Sequence, residues 1–472
     1  MNSYLFYDLE TSGLNKAFDQ IIQFAAIRTD SKLSEIERHN FLVKLRPDII
    51  LSPRALITHR ISISQAMTGI CEYEAAKTIH RLMNEPGTIS LGYNTLGFDD
   101  EFLRFTFHRN LLPPYTHQYH HGCGRMDIFP IAIMFKLYRE KVLSWPTRNG
   151  KISLKLEDLN TENSLTQGVS HDALADVEAT LALARLFMKE TDMWEYLAGT
   201  FVKEVDRQRF ASLPIVFHNN QLQHSQAILV GREFGKEMQF QAPVLFIGNS
   251  VPYTNQTLWL RMDLPELRET NRETLPDTTW VTRKRFGEPG ILLPPLARYE
   301  TMIGEQRMAE CQKNIEWIQS NREVFEAIIK YHQSFRYPEI PDLDADAALY
   351  QMGFPTKSTE ALSRKFHLAS VSEKISLRNQ FETPETRILA GRLLARNYPE
   401  ALPQDLKQKF SEYLSKINPP SIEKALVDYR GEARTTPVGA LAEIKEMKED
   451  TQMEYNQRKL LDELEAYLIQ TF

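Results

Sequence analysis

The chain has 472 residues, too many for one hydrophobic core, and should divide into about two to four domains. A hydrophobic content of 42% with 25% charged residues is ordinary for a soluble globular protein. The formal net charge of −6 does not indicate a nucleic-acid binder, so any such binding must come from local basic surface.

Cysteine usage and hydropathy indicate a cytoplasmic protein. The three cysteines, Cys71, Cys123 and Cys311, stand far apart without a C-x-x-C pair, which favours a reducing compartment over a disulfide framework. Met1 is followed almost directly by the first predicted strand, so no secretory signal is expected. The most apolar stretch, residues 128–135, is too short to span a bilayer, and we expect no membrane segment.

The first predicted strand, residues 4–11, is an apolar and aromatic run that leads into Asp8 and Glu10. Alternate side chains of a strand share a face, so both carboxylates point the same way, with their Cα atoms about 6.6 Å apart. Carboxylate oxygens suit Mg²⁺ or Mn²⁺. The D-x-E pair is also compatible with a solvated strand end, so the metal prediction depends on partners elsewhere in the chain.

The remaining elements of the first 190 residues alternate between the two regular types. Strands are predicted over residues 20–28, 41–45 and 88–94, and helices over 64–67, 74–83, 100–108, 128–139 and 172–189. This order is typical of an α/β domain that closes near residue 190.

The pattern of predicted elements changes from about residue 198. Short β-like runs at residues 214–218, 227–230, 244–247 and 257–261 predict a small barrel or sheet. A proline-containing stretch, residues 337–341, separates them from a helical remainder that includes residues 385–397 and an amphipathic segment at 441–468. We predict domains at residues 1–190, 198–341 and 342–472.

Two further acidic motifs follow the first. Asn94 and Asp99 lie at a strand-to-helix junction, where a ligand can approach the end of the strand. Asp99 follows an apolar residue and is the catalytic candidate, whereas Asp100 is expected to cap the next helix.

The last motif is a histidine followed five residues later by an acid. Residues five apart on a helix lie about 140° away from each other, so His171 is expected on the loop before the helix that carries Asp176. Near a cluster of carboxylates, a histidine has a suitable intrinsic pKa to take a proton from water.

Together, D-x-E, N-x(4)-D and H-x(4)-D resemble the DEDDh exonuclease superfamily, which has a ribonuclease-H-like fold. Longer stretches resemble the bacterial exonuclease I family in particular, namely residues 7–11, 23–30, 92–101, 171–177, 349–354 and 395–399. The resemblance covers the whole chain. It implies an α/β ribonuclease-H-like exonuclease domain, a β-rich SH3-like domain and an α-helical C-terminal domain.

The resemblance also implies an activity, which is processive removal of 5′-mononucleotides from the 3′ end of single-stranded DNA during DNA repair and recombination. Asp8, Glu10 and Asp176 would hold two Mg²⁺ ions about 3.5–4 Å apart, with Mn²⁺ as a possible substitute. Asp99 would hold one of the two ions, and His171 would act as the general base.

Substrate contacts are implied by position in the same family. They are expected from Glu10, Arg104, Tyr115, Tyr119, Lys155 and His171. Aromatic faces stack on bases at about 1–3 kcal/mol per base, without regard to sequence. Ile133 stands where relatives carry arginine, which leaves one backbone contact uncertain, and nearby Lys136 is a candidate replacement. Relatives bind the acidic tail of single-strand DNA-binding protein, and we expect a monomer.

Other interpretations stay open at this point. The catalytic motifs contact phosphate and metal and do not distinguish deoxyribose from ribose. A DEDDh enzyme for RNA ends or proofreading is therefore an alternative. A non-catalytic nucleic-acid scaffold is a third, although all four acids and His171 are intact. The spacing of His117, His120, His121 and Cys123 is compatible with zinc or with a polar loop. The basic and aromatic stretch at residues 280–286 is compatible with DNA binding or with solvated strands.

Overall fold

The computed structural model describes residues 3–166, 172–219 and 222–472. The chain forms two compact units, and neither is continuous in sequence. The first unit comprises Met1–Arg125, Thr166–Leu181 and Pro338–Phe472, and the second comprises Met126–Leu165 and Ala182–Tyr337. The three-domain division along the chain remains a prediction, because these units describe packing rather than linear order.

Strands and helices are numbered in chain order. The strands are β1 (Ser3–Thr11), β2 (Ile21–Thr29), β3 (Glu35–Leu42), β4 (Thr88–Gly92), β5 (Gly124–Asp127), β6 (Thr147–Arg148), β7 (Lys151–Ile152), β8 (Ile215–Asn219), β9 (Leu222–Val230), β10 (Gln241–Asn249), β11 (Thr257–Arg261), β12 (Val281–Lys284) and β13 (Ile291–Leu293). The helices of the first two-fifths are α1 (Pro53–His59), α2 (Ile63–Ala66), α3 (Glu72–Met83), α4 (Asp99–Arg109), α5 (Ile128–Tyr138), α6 (Leu156–Asn163) and α7 (Ala173–Met188).

The later helices belong to two groups. Those before residue 338 are α8 (Thr191–Gly199), α9 (Lys203–Ala211), α10 (Leu275–Thr278), α11 (Ala297–Ile303), α12 (Glu305–Ser320) and α13 (Arg322–Ser334). Those after it are α14 (Lys357–Leu368), α15 (Val371–Arg378), α16 (Pro384–Asn397), α17 (Gln404–Ile417), α18 (Pro437–Lys448) and α19 (Tyr455–Thr471). Within the described ranges, no helix combines the length and apolarity needed to cross a membrane.

A five-stranded sheet organises the first unit, in the order β3-β2-β1-β4-β5. Its central strand β1 is antiparallel to β2 and parallel to β4. Leu5 and Phe6 are fully buried, and every residue of β2 is buried, as the apolar runs predicted. The parallel pairing matters for the site, because it brings the carboxyl ends of β1 and β4 to the same edge of the sheet.

The predicted third strand was displaced. β3 begins at Glu35 rather than at residue 41, and it ends at Leu42. It lies at the edge of the sheet, where Glu35, Ile36 and Arg38 are exposed, and its only consecutive apolar residues, Phe41 and Leu42, stand at its end. Charged side chains discourage further pairing at an edge, so the apolar pattern detected only the end of the strand.

The last third of the chain shares its cores with the first 125 residues. One core joins Ile22, Leu45 and Leu56 to residues of the C-terminal helices, which include Ile444 and Leu464. A second core joins Tyr73 and Leu111 to Phe366, Leu389 and further residues of α14 to α17. These segments therefore fold as one body, so the five-stranded sheet depends on residues beyond 338 for burial of apolar surface.

A buried network of charges crosses the same boundary. Asp48 accepts a hydrogen bond from Arg396 (2.8 Å), and Asp346 pairs with Arg396 and with Arg392 (3.0 Å). Arg46 lies 3.2 Å from Asp48. Burial alone would raise the pKa of Asp48, but the guanidinium groups of Arg396 and Arg46 outweigh it and hold this pKa well below its ordinary value.

The second unit contains an antiparallel six-stranded sheet in the order β12-β11-β10-β9-β13, with β8 also paired to β9. Helices α12 and α13 cover one face, where Ile315, Ile318 and Phe325 pack on Leu245 and Leu258. This sheet confirms the β-rich module that short runs between turns predicted.

The buried network gives a test of stability. Arg396→Met removes one guanidinium from two fully buried aspartates, so we expect the free energy of unfolding in urea to fall by about 3–5 kcal/mol. Arg54→Met is the matched control, because Arg54 pairs with Glu443 between the same chain segments but is 75% exposed. The control should cost less than about 1 kcal/mol. Equal losses in both variants would show that burial of the network has no energetic consequence.

Candidate active site

Three carboxylates converge at the end of the central strand. Asp8 and Glu10 lie on one face of β1, and Asp176 reaches them from the first turns of α7. One ligand atom from each of the three lies within 4.8 Å of the others. Within the described residues this is the only group of three or more metal-binding side chains so closely spaced.

A fourth carboxylate arrives from the junction between β4 and α4. Asp99 is the first residue of α4 and is buried. Strands β4 and β1 approach each other closely just before this junction, since a Cβ atom at Gly92 would lie 2.4 Å from the carbonyl oxygen of Tyr7. Only glycine permits such close approach of the two strands. We refer to Asp8, Glu10, Asp99 and Asp176 as the carboxylate cluster.

The electrostatics of the cluster fit a divalent cation. Burial, followed by the charges of Asp99 and Asp176, raises the pKa of Asp8 well above its ordinary value. Burial, followed by the charges of Asp176 and Asp99, raises the pKa of Glu10 to about 9. At neutral pH the four acids therefore cannot all ionise unless positive charge enters. The donor set is all oxygen, which Mg²⁺ and Mn²⁺ prefer.

Gln23 fastens the helix that carries Asp176. It lies directly opposite Glu10 in the pairing of β1 with β2. Its amide nitrogen donates to Asn40 (3.0 Å) and to Asp172 (3.4 Å), and its amide oxygen accepts from the Ala173 backbone nitrogen (3.4 Å). The sequence analysis did not assign Gln23 a role, although a polar residue within the apolar run of residues 21–27 is a signal that could have found it.

Asp172 completes this attachment. Its other carboxylate oxygen accepts hydrogen bonds from the backbone nitrogens of Leu174 (3.0 Å) and Ala175 (3.2 Å). It thereby caps α7, and the helix dipole favours its negative charge at this N-terminus. An ion pair between Arg38 of β3 and Glu178 of α7 adds a second attachment to the sheet.

The expectation that Asp100 caps α4 was wrong. The helix begins without a side-chain cap, and Asp100 is instead buried among cations. It lies 2.5 Å from Arg104, 2.6 Å from Arg125 and 3.0 Å from His117. Although burial opposes it, the charges of Arg125 and Arg104 hold the pKa of Asp100 well below its ordinary value. The i,i+4 spacing of Asp100 and Arg104 could have indicated one of these contacts, but His117 and Arg125 come from segments that no local pattern connects to α4.

The predicted substrate contacts are placed as follows. His171 lies outside the described residues. In the first unit, Arg104 packs its guanidinium over the ring of Tyr115 (5.7 Å), and Tyr119 is 66% exposed. In the second unit, Lys155 is exposed and pairs with Glu157 (3.2 Å). Their roles towards a substrate remain predictions.

The apolar substitution at residue 133 has a structural context. Ile133 is only 1% exposed on α5, where an unpaired charge would be costly to bury. Lys136, the candidate replacement, forms an ion pair with Glu140 and lies over the ring of Trp145 (5.9 Å).

The two other motifs serve mainly structural contacts. His117 is buried against Asp100, and the Cys123 thiol donates to the Glu85 carbonyl oxygen (3.4 Å), so these described side chains do not converge on a metal site. In the stretch at 280–286, Lys284 is buried and pairs with Asp206 (2.8 Å). That cation is therefore used within the second unit.

Comparisons with known proteins extend along most of the chain. A family described as “Exonuclease” matches residues 5–184, and “Exonuclease I C-terminal domain” matches residues 343–471. Exodeoxyribonuclease I of Escherichia coli strain K12 is 27% identical over 451 residues, or 90% of this chain and 92% of that protein. Exodeoxyribonuclease I of Haemophilus influenzae is 34% identical over 198 residues, or 41% of this chain and 42% of that protein.

Solved structures extend the likeness to the fold. The crystal structure of E. coli exonuclease I in complex with a dA16 oligonucleotide has a TM-score of 0.85 and 25% identity, and each chain is covered completely. The similarity therefore includes the nuclease sheet, the β-rich sheet and the C-terminal helices.

Crowding of the carboxylates predicts an unusual pH dependence. The pKa of Glu10 is about 9 in the folded protein against an ordinary 4.5, so the folded state binds more protons than the unfolded state between these values. Without divalent metal, the free energy of unfolding should therefore fall as pH rises across this window. Glu10→Gln should flatten the slope and stabilise the metal-free protein by about 1–2 kcal/mol at pH 8.

Denaturant titrations from pH 6 to 9 in chelator would measure this effect, with the exposed Glu195→Gln as control. Adding Mg²⁺ should stabilise the unmodified protein more at pH 8 than at pH 6. A slope that Glu10→Gln leaves unchanged would contradict the predicted repulsion.

Proposed function

This chain belongs to the bacterial exonuclease I family, and we propose that it removes 5′-mononucleotides processively from the 3′ end of single-stranded DNA during DNA repair and recombination. The observation that carries the proposal is the convergence of Asp8, Glu10 and Asp176 beside Asp99, at the carboxyl end of the central strand. Phosphodiester hydrolysis requires positive charge at this position, and the cluster is built to attract it.

Each residue of the cluster has a proposed task. Asp8, Glu10 and Asp176 would hold two Mg²⁺ ions, and Asp99 would hold one of them, with Mn²⁺ as a substitute. When bound, such ions supply Lewis-acid chemistry at both the attacking and the leaving oxygen. His171 precedes the capped helix by two residues and would take the proton of the attacking water. Gln23 and Asp172 hold the helix start in position while this occurs.

Substrate recognition is proposed to be independent of base sequence. Tyr115 and Tyr119 would stack on bases, while Arg104 and Lys155 would contact phosphates. Arg104 shares its charge with the buried Asp100, so its contribution should be smaller than that of an unpaired cation. A DEDDh enzyme acting on RNA ends or in proofreading is the alternative, and the choice of substrate separates the two.

Partners and location complete the proposal. We propose that the enzyme acts in the cytoplasm as a monomer and binds the acidic tail of single-strand DNA-binding protein, as the family resemblance implies. Sedimentation velocity, alone and with a tail peptide, checks both statements. A dimer or an unbound peptide would contradict them.

Degradation of 5′-labelled substrates tests the activity. Single-stranded DNA should be shortened from its 3′ end with Mg²⁺, whereas blunt duplex DNA and RNA of the same sequence should persist. Asp8→Asn should abolish hydrolysis yet keep DNA affinity in anisotropy measurements, because charge at the metal site is lost and shape is kept. Preferred cleavage of RNA would favour the alternative. Near-normal turnover by Asp8→Asn would refute the metal assignment.

The proposed general base has its own test. His171→Ala should reduce the single-turnover rate by about 10²–10⁴-fold, which is the usual contribution of a positioned acid–base group. The affinity for Mn²⁺ should remain, because His171 is not a proposed ligand. A small loss with an unchanged pH–rate profile would show that another group or bulk solvent accepts the proton.

A further inference from the structure

The helix that carries Asp99 begins without the usual restraint. The residue before it, Phe98, has φ −145° and ψ −67°, and its side chain makes no capping hydrogen bond. A side-chain cap ordinarily helps to hold the first turn of a helix. Because Asp99 is the first residue of α4, the contacts of its two following neighbours help to fix the backbone from which its carboxylate projects.

The first of these neighbours is Asp100, whose contacts with Arg104, Arg125 and His117 have been described. The second is Glu101, which points to a different set of residues. Its Oε1 atom accepts hydrogen bonds from the hydroxyls of Tyr350 (2.8 Å) and Tyr429 (2.7 Å). Its Oε2 atom accepts one from Arg430 (3.0 Å) and lies 3.5 Å from the Lys16 ammonium group.

These four donors and Glu101 form what we call the Glu101 cluster. The side chain of Glu101 is 17% exposed, and its bond with Tyr429 is partly buried, whereas those with Tyr350 and Arg430 lie nearer the surface. Hydrogen bonds to a charged acceptor are stronger than those between neutral groups. Three of the donors come from the C-terminal segment, which is remote in sequence from α4.

Ring packing orients the two tyrosines independently of their hydrogen bonds to Glu101. Phe105, four residues after Glu101 and so one turn further along α4, stacks on Tyr429 with centroids 5.3 Å apart. It meets Tyr350 edge-on at 5.4 Å, and the two tyrosine rings are 4.9 Å apart. The hydroxyls are thereby aimed at a single carboxylate oxygen, while the rings remain packed whether or not the hydroxyls are present.

We propose that Tyr350, Tyr429 and Arg430 are positioning residues, which hold Asp99 at the metal site through Glu101. The inference rests on the proposed function, since it takes Asp99 to be a metal-holding carboxylate. Asp100 restrains the first turn of α4 from within the nuclease region, and Glu101 restrains it from the C-terminal segment. A displacement of about 1 Å at a reacting centre can cost about 10²-fold in rate.

The double variant Tyr350→Phe/Tyr429→Phe removes both hydroxyls and keeps the rings packed on Phe105. We expect Mn²⁺ affinity, measured by calorimetry without DNA, to fall about 10–100-fold, as it does when outer contacts of metal ligands are lost. The value of kcat should fall at limiting Mn²⁺ and recover at high Mn²⁺, with KM for DNA unchanged. Tyr73→Phe is the matched control, because its hydroxyl bonds His367 (2.8 Å) away from α4.

The Asp99→Asn variant distinguishes failure of the proposed metal role of Asp99 from failure of the positioning role of the tyrosines. If it binds Mn²⁺ as the unmodified protein does, Asp99 has no metal role, and both the proposed function of Asp99 and this inference fail. If it loses affinity while the double variant does not, only the inference is overturned. Should the double variant unfold, Glu101→Met removes the oxygens that accept these hydrogen bonds and keeps a side chain of similar length. Unchanged Mn²⁺ affinity in that variant would equally overturn the proposal.

Discussion

Repulsion among Asp8, Glu10, Asp99 and Asp176 is the constraint on which the first unit depends. Like charges so close together push apart unless the elements carrying them are held from outside. Asp8 and Glu10 resist because β1 is paired along its length with β2, while its first residues also pair with β4. Asp99 and Asp176 lie on helices α4 and α7, outside this strand pairing. Side chains that contact the first turns of these helices therefore help to hold the two carboxylates in place.

Charges elsewhere in the same unit show how unusual the cluster is. Asp48 and Asp346 are also buried, yet guanidinium groups surround them and hold the pKa of each below its ordinary value. The pKa values of Asp8 and Glu10 move in the opposite direction. One environment is neutralised by the protein itself, and the other is left for an external cation to neutralise. This difference in direction separates the acids that pair within the fold from those that we propose to hold metal.

Local sequence patterns predicted the elements that carry the cluster. D-x-E on one strand face, Asp99 at the start of a helix and Asp176 in the first turns of another follow from periodicity and turn chemistry. The residues that hold those elements could not be predicted in this way. Tyr350 and Tyr429 lie about 250 and 330 positions from Glu101, and no local rule connects such distances. The terminal amphipathic segment likewise proved to be two helices, α18 and α19, which pack in the core with Ile22.

The discontinuous first unit has a consequence for synthesis on the ribosome. Its sheet is translated early, but the helices that complete its cores emerge only after residue 338. At about 5–20 residues per second, the nascent strands wait on the order of tens of seconds for their partners. During that interval the first turn of α4 lacks the contacts that Tyr350, Tyr429 and Arg430 make with Glu101. Nuclease chemistry should therefore appear only once the chain is nearly finished, so incomplete chains released by stalled ribosomes would carry little capacity to damage DNA.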